Sequence, residues 1–410
     1  MNNIWITIFA FIGGVITTLI ALLVITEIVL RLSTWFRKNF LVKEVNRKDF
    51  LSTGYKPYID WIENYSKPMF EYLPVGFRFF NNDNPIISVK NNALGFRGEE
   101  FSTPNPDELR ICVVGGSAAW GCGASSNETT ITGWLEPLIN ADKRLLGEKF
   151  SKAKCFNLAQ VNGYQTQDLL TLLFFAEKIR PDYVISFTGW NELVASSDMN
   201  VDYLKKFGVY YLSELEGWKP AAVSNKNELL KNAFLRWGKE RFELFRTFPF
   251  KQKKSSSKSS TLEERIQIGT ELFCSHVGLM QRLAKAFEFQ HLQFTQPYIY
   301  RKNFLTAQEA KVIELYDFVR PVMGGKPFGD YLRHNNIYLP IIKTFRQNPD
   351  LGPIKDLCDM FTEEKDTMFY TLVHLTDEGY RRVARELYET LLSLSYSSRK
   401  ERELSNAKAV

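Results

Sequence analysis

Residues 110–123 read RICVVGGSAAWGCG, and this stretch decides the fold. Its apolar run, ICVV, is typical of a strand that is buried on both faces of a parallel sheet. Two glycines end the run, and Ser117 follows them directly, ahead of small residues that suit the first turn of a helix. A serine at this point is either a nucleophile raised by a tight strand-to-helix turn or an ordinary helix cap. The stretch alone leaves both interpretations open.

The alternation of apolar strand and amphipathic helix continues toward the C-terminus. Strands are predicted at RICVVG, AKCFNLAQ, PDYVISFTG and FQHLQFTQPYI, with helical spacing between them and a long helix at 262–288. A last helix, TDEGYRRVARELYETLLSLS, precedes a polar tail at 397–410. This pattern predicts an α/β fold, a three-layer doubly wound sandwich with a mostly parallel sheet at 106–396. Residues 300–365 are an aromatic-rich insertion in that domain, and the pattern predicts no structure for them.

The N-terminus has a different composition. No charged residue occurs from Ile4 to Thr26, which at ~1.5 Å per residue is long enough to span a bilayer of ~30 Å. The start, MNN, lacks the basic residues of a signal peptide, and no small-residue cleavage site follows the apolar run. We expect residues 1–30 to form a retained, single-pass membrane anchor, with residues 4–30 in the lipid bilayer. A juxtamembrane and lead-in segment then covers 31–105.

Composition argues against several classes of protein. The net charge of +6 is modest and dispersed, so no nucleic-acid partner is expected. The five cysteines form no CxxC pair, which argues against a disulfide framework or a cysteine zinc site, and no metal or other cofactor is expected. Two of the four histidines, His276 and His291, fall within a predicted helix and a predicted strand, where structural roles are expected.

Candidate catalytic side chains follow the predicted strands. Ligands bind outside the carboxyl ends of the strands in an open parallel sheet. Ser117 and Gly163 come after the first and second strands, Asn191 comes after the third within GWNE, and His374 precedes the last helix. They supply a hydroxyl, a backbone amide, an amide side chain and an imidazole, the groups that acyl transfer needs. Each alone also suits a cap or a turn, and the joint order favours catalysis.

Four sequence blocks resemble those of the SGNH hydrolases, the GDSL-type esterases and lipases, over about residues 90–395. The blocks are VVGGSAAWGCG, FNLAQVNGYQTQD, GWNE and TLVH. The resemblance implies an SGNH, flavodoxin-like sandwich in which Ser117 is the nucleophile and His374 is the base. It also implies an oxyanion hole formed by the amides of Ser117 and Gly163 and by the side chain of Asn191. The α/β-hydrolases, whose motif is G-x-S-x-G, fit less well because Ala119 occupies the last position.

The chain departs from this family at the acid. Thr371 stands where the family has Asp, three residues before the histidine. The acid orients the imidazole and stabilises its cation, and in the best-studied triad its loss costs about 10⁴ in rate. Asp366 and Asp377 are alternative partners for the ring, although Asp377 also suits the N-cap of the last helix. A Ser-His dyad therefore stays open, as does a catalytically weakened protein that serves in binding or assembly.

Together these observations predict a membrane-anchored serine esterase. Its substrate class is an acyl ester, O-acetyl esters included, of a carbohydrate, lipid or other small molecule, and an O-acyltransferase that uses the same site is the alternative. The side of the membrane stays open, because two observations oppose each other. The basic flank after the span, including Arg31, Arg37 and Lys38, favours the cytoplasm. The anchor and NALGFRG (92–98) resemble a membrane-tethered bacterial subgroup linked to cell-surface polysaccharides, which favours the outer face.

Overall fold

The computed structural model describes residues 2–36, 70–72, 78–80, 89–194, 204–206, 208–210, 261–319, 322–323 and 326–409. Internal contacts divide the chain into two units, Met1–Ser52 with Glu216–Lys258, and Thr53–Leu215 with Ser259–Val410. Each unit is described by itself. Most of the predicted lead-in segment at 31–105 lies outside the described residues.

The described part of the first unit is one helix, α1, Asn2–Phe36. Within it, Phe11–Ser33 is long and apolar enough to cross a membrane, a property that a retained anchor and a signal sequence share. Hydroxyl groups in this stretch bond to the helix's own backbone, which is how a helix in lipid satisfies such groups. The Thr17 and Thr18 hydroxyls donate to carbonyls four residues earlier, at 2.8 and 2.9 Å.

The second unit is built on a five-stranded sheet in which every pairing is parallel. The strands are β1 Glu108–Gly115, β2 Lys152–Asn157, β3 Tyr183–Thr188, β4 Gln290–Thr295 and β5 Ile354–Lys355. Their order, β2-β1-β3-β4-β5, is the flavodoxin-like order. The predicted fold class is therefore confirmed, and β1 to β4 are the four strands that the sequence predicts.

Helices cover both faces of this sheet. They are α2 Ser117–Trp120, α3 Ile131–Asp142, α4 Gln165–Ile179, α5 Trp190–Leu193, α6 Leu262–Ala286, α7 Ala307–Val319, α8 Phe328–His334, α9 Leu339–Gln347 and α10 Asp377–Ala409. On one face, α4 and α6 pack over Cys112 and Val114 of β1 in a common apolar cluster. Strand alternation turns Ile111 and Val113 to the other face, and there α3 packs against β2 and α10.

Two parts of the structure differ from the sequence prediction. The predicted polar tail at 397–410 continues as helix, because α10 extends to Ala409. The segment predicted as an insertion contains α7, α8, α9 and the edge strand β5. Two short antiparallel hairpins lie outside the main sheet, Phe70–Tyr72 with Arg78–Phe80 and Val322–Met323 with Lys326–Pro327.

The strand β1, which lies between β2 and β3, is buried along its whole length, and its ICVV run is apolar on both faces. At its amino end, the buried guanidinium of Arg110 pairs with Glu108 at 2.5 Å and donates to the Ile179 carbonyl at 2.6 Å. At its carboxyl end, Gly115 has a φ of +143° and lies against the backbone of Phe187. The chain then turns directly into α2.

Replacing Gly115 with Ala is expected to destabilise the second unit strongly. The added Cβ would lie 2.3 Å from the Phe187 carbonyl oxygen, in a backbone conformation that L-residues rarely adopt. Strain and overpacking together predict a loss of about 2–5 kcal/mol in the free energy of unfolding. Urea unfolding of the full chain in detergent, followed by tryptophan fluorescence, measures this loss.

The matched control is Gly278→Ala, at a helical position whose added Cβ meets only Leu351 at 3.8 Å. This variant is expected to gain up to about 1 kcal/mol, because alanine has the higher helix propensity. Equal unfolding midpoints for the two variants would contradict the description of the β1 turn.

Candidate active site

Ser117 is the first residue of α2, at the carboxyl edge of the sheet. The N-cap of this helix is Gly116, and no side chain caps the helix. The capping interpretation of Ser117 is therefore wrong, and its hydroxyl is directed elsewhere. Ser117 Oγ lies 2.7 Å from Nε2 of His374, although the two residues are 257 positions apart in sequence.

His374 lies in a tight hairpin that precedes α10. The hairpin is held by a bridge between Phe369 and Leu375 and by the Tyr370 amide, which donates to the His374 carbonyl at 2.8 Å. The loop after α2 approaches it closely: a Cβ on Gly123 would lie 2.4 Å from the Leu375 carbonyl oxygen. Glycine at this position therefore lets the loop that follows the serine's helix contact the hairpin that carries the histidine.

Burial controls the charge of His374. Desolvation lowers the pKa of its imidazole to about 4, so the ring is neutral at pH 7. A neutral ring can accept the Ser117 proton at Nε2 when its own proton is on Nδ1. The pair thus has both the distance and the protonation state that a nucleophile and its general base require.

Gly116 brings the predicted oxyanion residues to the serine. A Cβ at Gly116 would lie 2.5 Å from Asn191 Nδ2 and 3.2 Å from the Gly163 carbonyl oxygen. Asn191 Nδ2 donates to that carbonyl at 2.8 Å, which uses one of its two N–H groups. The Gly163 amide donates to the Gln160 carbonyl at 2.9 Å. Ser117, Gly163 and Asn191 are therefore neighbours, but the amide that the resemblance implied for Gly163 already has an acceptor.

The three predicted partners of the His374 ring make their bonds elsewhere. Thr371 Oγ1 accepts from the backbone amide of His374 at 3.2 Å, so it fixes the hairpin backbone. Asp377 accepts from the amide of Ser125 at 2.8 Å and from its hydroxyl, which ties the start of α10 to the loop after α2. Asp366 contributes its carbonyl, which accepts from Lys302 at 2.6 Å. None of these bonds is made to the imidazole, and the expectation that one of the three side chains orients the ring stays a prediction.

Other polar residues support the loops of the site. The Arg97 guanidinium, within the predicted NALGFRG segment, donates to the carbonyls of Gly121 and Ser126 at 2.7 and 2.8 Å. It also stacks on Trp120 of α2, with the guanidinium carbon, Cζ, 4.6 Å from the centroid of the ring. Arg97 therefore holds the loop that follows the nucleophile.

Glu192, next to Asn191, connects two of the edge turns. Its carboxyl accepts from the amides of Gly189 at 2.8 Å and Gln165 at 3.0 Å. Burial raises the pKa of Glu192 to about 7, and the two amides limit that rise. Burial, and next the proximity of Glu192, raise the pKa of the Asp168 carboxyl well above its ordinary value. The two bonds of Glu192 fix the turn that carries Asn191.

A second Ser-His pair lies inside the sheet. Ser186 Oγ is 2.9 Å from Nε2 of His291, and both residues are buried within β3 and β4. Desolvation lowers the pKa of this imidazole to about 3. His276 is likewise buried in α6 and contacts the Leu272 carbonyl. These contacts agree with the structural roles expected for His276 and His291.

Sequence reasoning missed a buried ion pair between Lys302 and Glu309 that contacts the His374 hairpin. A signal for it was present in TAQE (306–309), which has the S/T-x-x-E form of a capping box at a helix start. In the part of the chain that the structure describes, no cluster of three His, Cys, Asp or Glu side chains is suited to a metal ion.

No protein-family model matches the chain, and no curated protein matches it significantly in sequence. Solved structures with a similar fold include an acetyl xylan esterase at 11% identity and a TM-score of 0.34, covering 69% of this chain and 99% of that one. A lipase/acylhydrolase from Enterococcus faecalis matches at 10% identity with a TM-score of 0.35, and the match covers 70% of this chain and 96% of that one. A catalytic mutant of an acetylxylan esterase from Geobacillus stearothermophilus matches at 12% identity with a TM-score of 0.33, and the match covers 69% of this chain and 94% of that one.

The similar structures are those of esterases and an acylhydrolase. With TM-scores of 0.33 to 0.35 and identities of 10 to 12%, the likeness to them carries no weight for the family or the function of this chain.

The pKa of His374 sets an expected pH dependence. If the neutral imidazole is the base, kcat/KM for an ester falls only when pH drops through about 4, where the ring gains a proton. A histidine of ordinary pKa, 6.5, would already be mostly protonated at pH 5. Initial rates with 4-nitrophenyl acetate between pH 3.5 and 8, corrected for the spontaneous reaction, measure this limb. An acid limb near 6.5 would contradict the desolvated, neutral ring.

Proposed function

We propose that this chain is a carboxylic ester hydrolase whose nucleophile is Ser117 and whose base is His374. The observation that carries the proposal is their 2.7 Å hydrogen bond, at the sheet edge where parallel α/β folds bind ligands. The adjacent Asn191 amide and the neutral imidazole supply the other groups of an acyl-transfer site.

The proposed reaction has two halves. His374 Nε2 takes the hydroxyl proton while Ser117 Oγ attacks the ester carbonyl, which gives a tetrahedral intermediate. Its oxyanion is stabilised by the Ser117 amide and the second N–H of Asn191, and the Gly163 amide joins them only if it leaves Gln160. The imidazolium then protonates the departing alkoxide, and an acyl-enzyme remains. Water, deprotonated by His374, then attacks that ester, and the imidazolium returns the proton to Ser117 Oγ as the acid leaves.

The first unit adds a proposed location. We take α1 as the retained anchor that the sequence predicts, so that the site acts on esters near a membrane surface. A carbohydrate or lipid carrying an acyl group, such as O-acetyl, fits the sequence subgroup that the anchor and NALGFRG resemble. An O-acyltransferase shares the first half-reaction and differs in its acceptor. Product analysis with and without an added sugar alcohol separates hydrolysis from transfer.

Ser117→Ala is expected to abolish hydrolysis of 4-nitrophenyl acetate, because no acyl-enzyme can form. Loss of a triad serine lowers kcat by about 10⁶ in the best-studied case, so the residual rate should fall to the buffer rate. The matched control is Ser186→Ala, which removes the hydroxyl of the second Ser-His pair. Its rate should equal that of the unmodified chain. Equal rates for the two variants would reject the proposed nucleophile and leave the binding or assembly interpretation.

Thr371→Asp tests the missing acid. A carboxylate three residues before His374 would stabilise the imidazolium, so the pKa of the ring should rise from about 4. The acid limb of kcat/KM should then move to higher pH, and the rate at pH 7 should rise by a factor of up to about 10⁴. Thr371→Asn, which has the same shape and no charge, is the control. An unchanged acid limb in the Asp variant would show that residue 371 does not reach the ring.

A further inference from the structure

We propose that Glu309, held in place by Lys302, is a positioning residue that sets the location of His374. The inference rests on the proposed function for its catalytic consequence, while its structural basis is independent. It concerns the segment at 300–365, to which the sequence assigns no role. The two side chains form a 2.7 Å ion pair, and both are completely buried.

The buried pair is satisfied by further polar contacts, which a buried ion pair needs if it is to persist. Lys302 Nζ also donates to the carbonyl of Asp366 at 2.6 Å. Glu309 Oε2 also accepts from the amide of Thr306 at 3.1 Å, the contact of a capping box at the start of α7. One oxygen of the carboxylate is thus sufficient to cap the helix and to bind the lysine.

The other oxygen of Glu309 contacts the histidine hairpin. Oε1 accepts from the amides of Met368 at 2.9 Å and Phe369 at 3.2 Å. Phe369 and Met368 lie one and two residues before Tyr370, and the Tyr370 amide donates to the His374 carbonyl. The Thr376 amide donates to the Met368 carbonyl at 2.9 Å, so the two ends of the hairpin meet where the carboxylate binds. Glu309 and Lys302 therefore hold the first strand of the hairpin from 366 to 369.

The anchoring of the hairpin matters because the side chain of Thr371 bonds to the hairpin backbone, at the amide of His374. In the family that the chain resembles, an acid at that position would hold the imidazole itself, whereas Thr371 accepts from the His374 amide. The location of the ring is thus determined by the hairpin backbone, and the 2.7 Å contact with Ser117 depends on it. A displacement of about 1 Å can cost on the order of 100-fold in rate.

Glu309→Ala, in the full chain in detergent, tests the proposal. The expected result with 4-nitrophenyl acetate is a fall in kcat of about 10- to 100-fold with KM little changed. A second readout needs no activity. The pKa of the His374 imidazole, followed through its NMR resonance and assigned with His374→Asn, should rise above about 4, because the displaced ring becomes more exposed to solvent. The matched control is Glu108→Ala, which removes an equally buried partner, that of Arg110, at the opposite end of β1. This control should lose stability while kcat stays unchanged.

Two double variants separate positioning from folding. Lys302→Met with Glu309→Gln keeps a carbonyl acceptor for the two amides without a stranded charge, and should recover most of kcat. Lys302→Met with Glu309→Met keeps the packing and removes the acceptor, so it should have the low kcat even if Glu309→Ala does not fold. A folded variant without the acceptor that retains normal kcat and a normal His374 titration overturns the proposal. If the unmodified chain hydrolyses no ester, the proposed function fails, and the His374 titration alone decides on positioning.

Discussion

The hydrogen bond between Ser117 Oγ and His374 Nε2 is the interaction on which the site depends. Its partners lie at the start of α2 and in the hairpin before α10, and glycines allow the close approach between the two. Gly115 lets β1 turn into α2 against the backbone of Phe187, and Gly123 lets the following loop contact the hairpin at Leu375. The sheet thus supports both residues, and the backbone contact between the loop after α2 and the hairpin sets the distance between Ser117 and His374.

The electrostatics of this pair differ from those of a charged triad. A buried imidazole with a low pKa is always ready to accept a proton above about pH 4. The same desolvation makes its protonated form costly during the reaction, because a buried cation loses the hydration that it would have in water. Burial therefore has two opposite effects. It keeps the imidazole neutral and able to accept a proton, and it destabilises the imidazolium that forms during the reaction.

The fold was predictable because its signals are local. The strands β1 to β4 have six to eight residues, which is long enough for a strand pattern to be recognised, and the rule for parallel sheets places Ser117 and Asn191 at one edge. The strand β5 has two residues, which is too short for any periodicity. The bond of the Gly163 amide to Gln160 and the reach of Glu309 to Met368 depend on tertiary contacts. TAQE predicts a helix start, yet nothing in it specifies the target of the second carboxylate oxygen.

Gly116 restricts the order in which this site could change during evolution. A Cβ at this position would lie 2.5 Å from Asn191 Nδ2, so a side chain at 116 requires the Asn191 amide to move. Such a move would break the Asn191 contact with the Gly163 carbonyl. The order of substitution therefore matters, because residue 191 has to change its contacts before, or together with, any enlargement of residue 116.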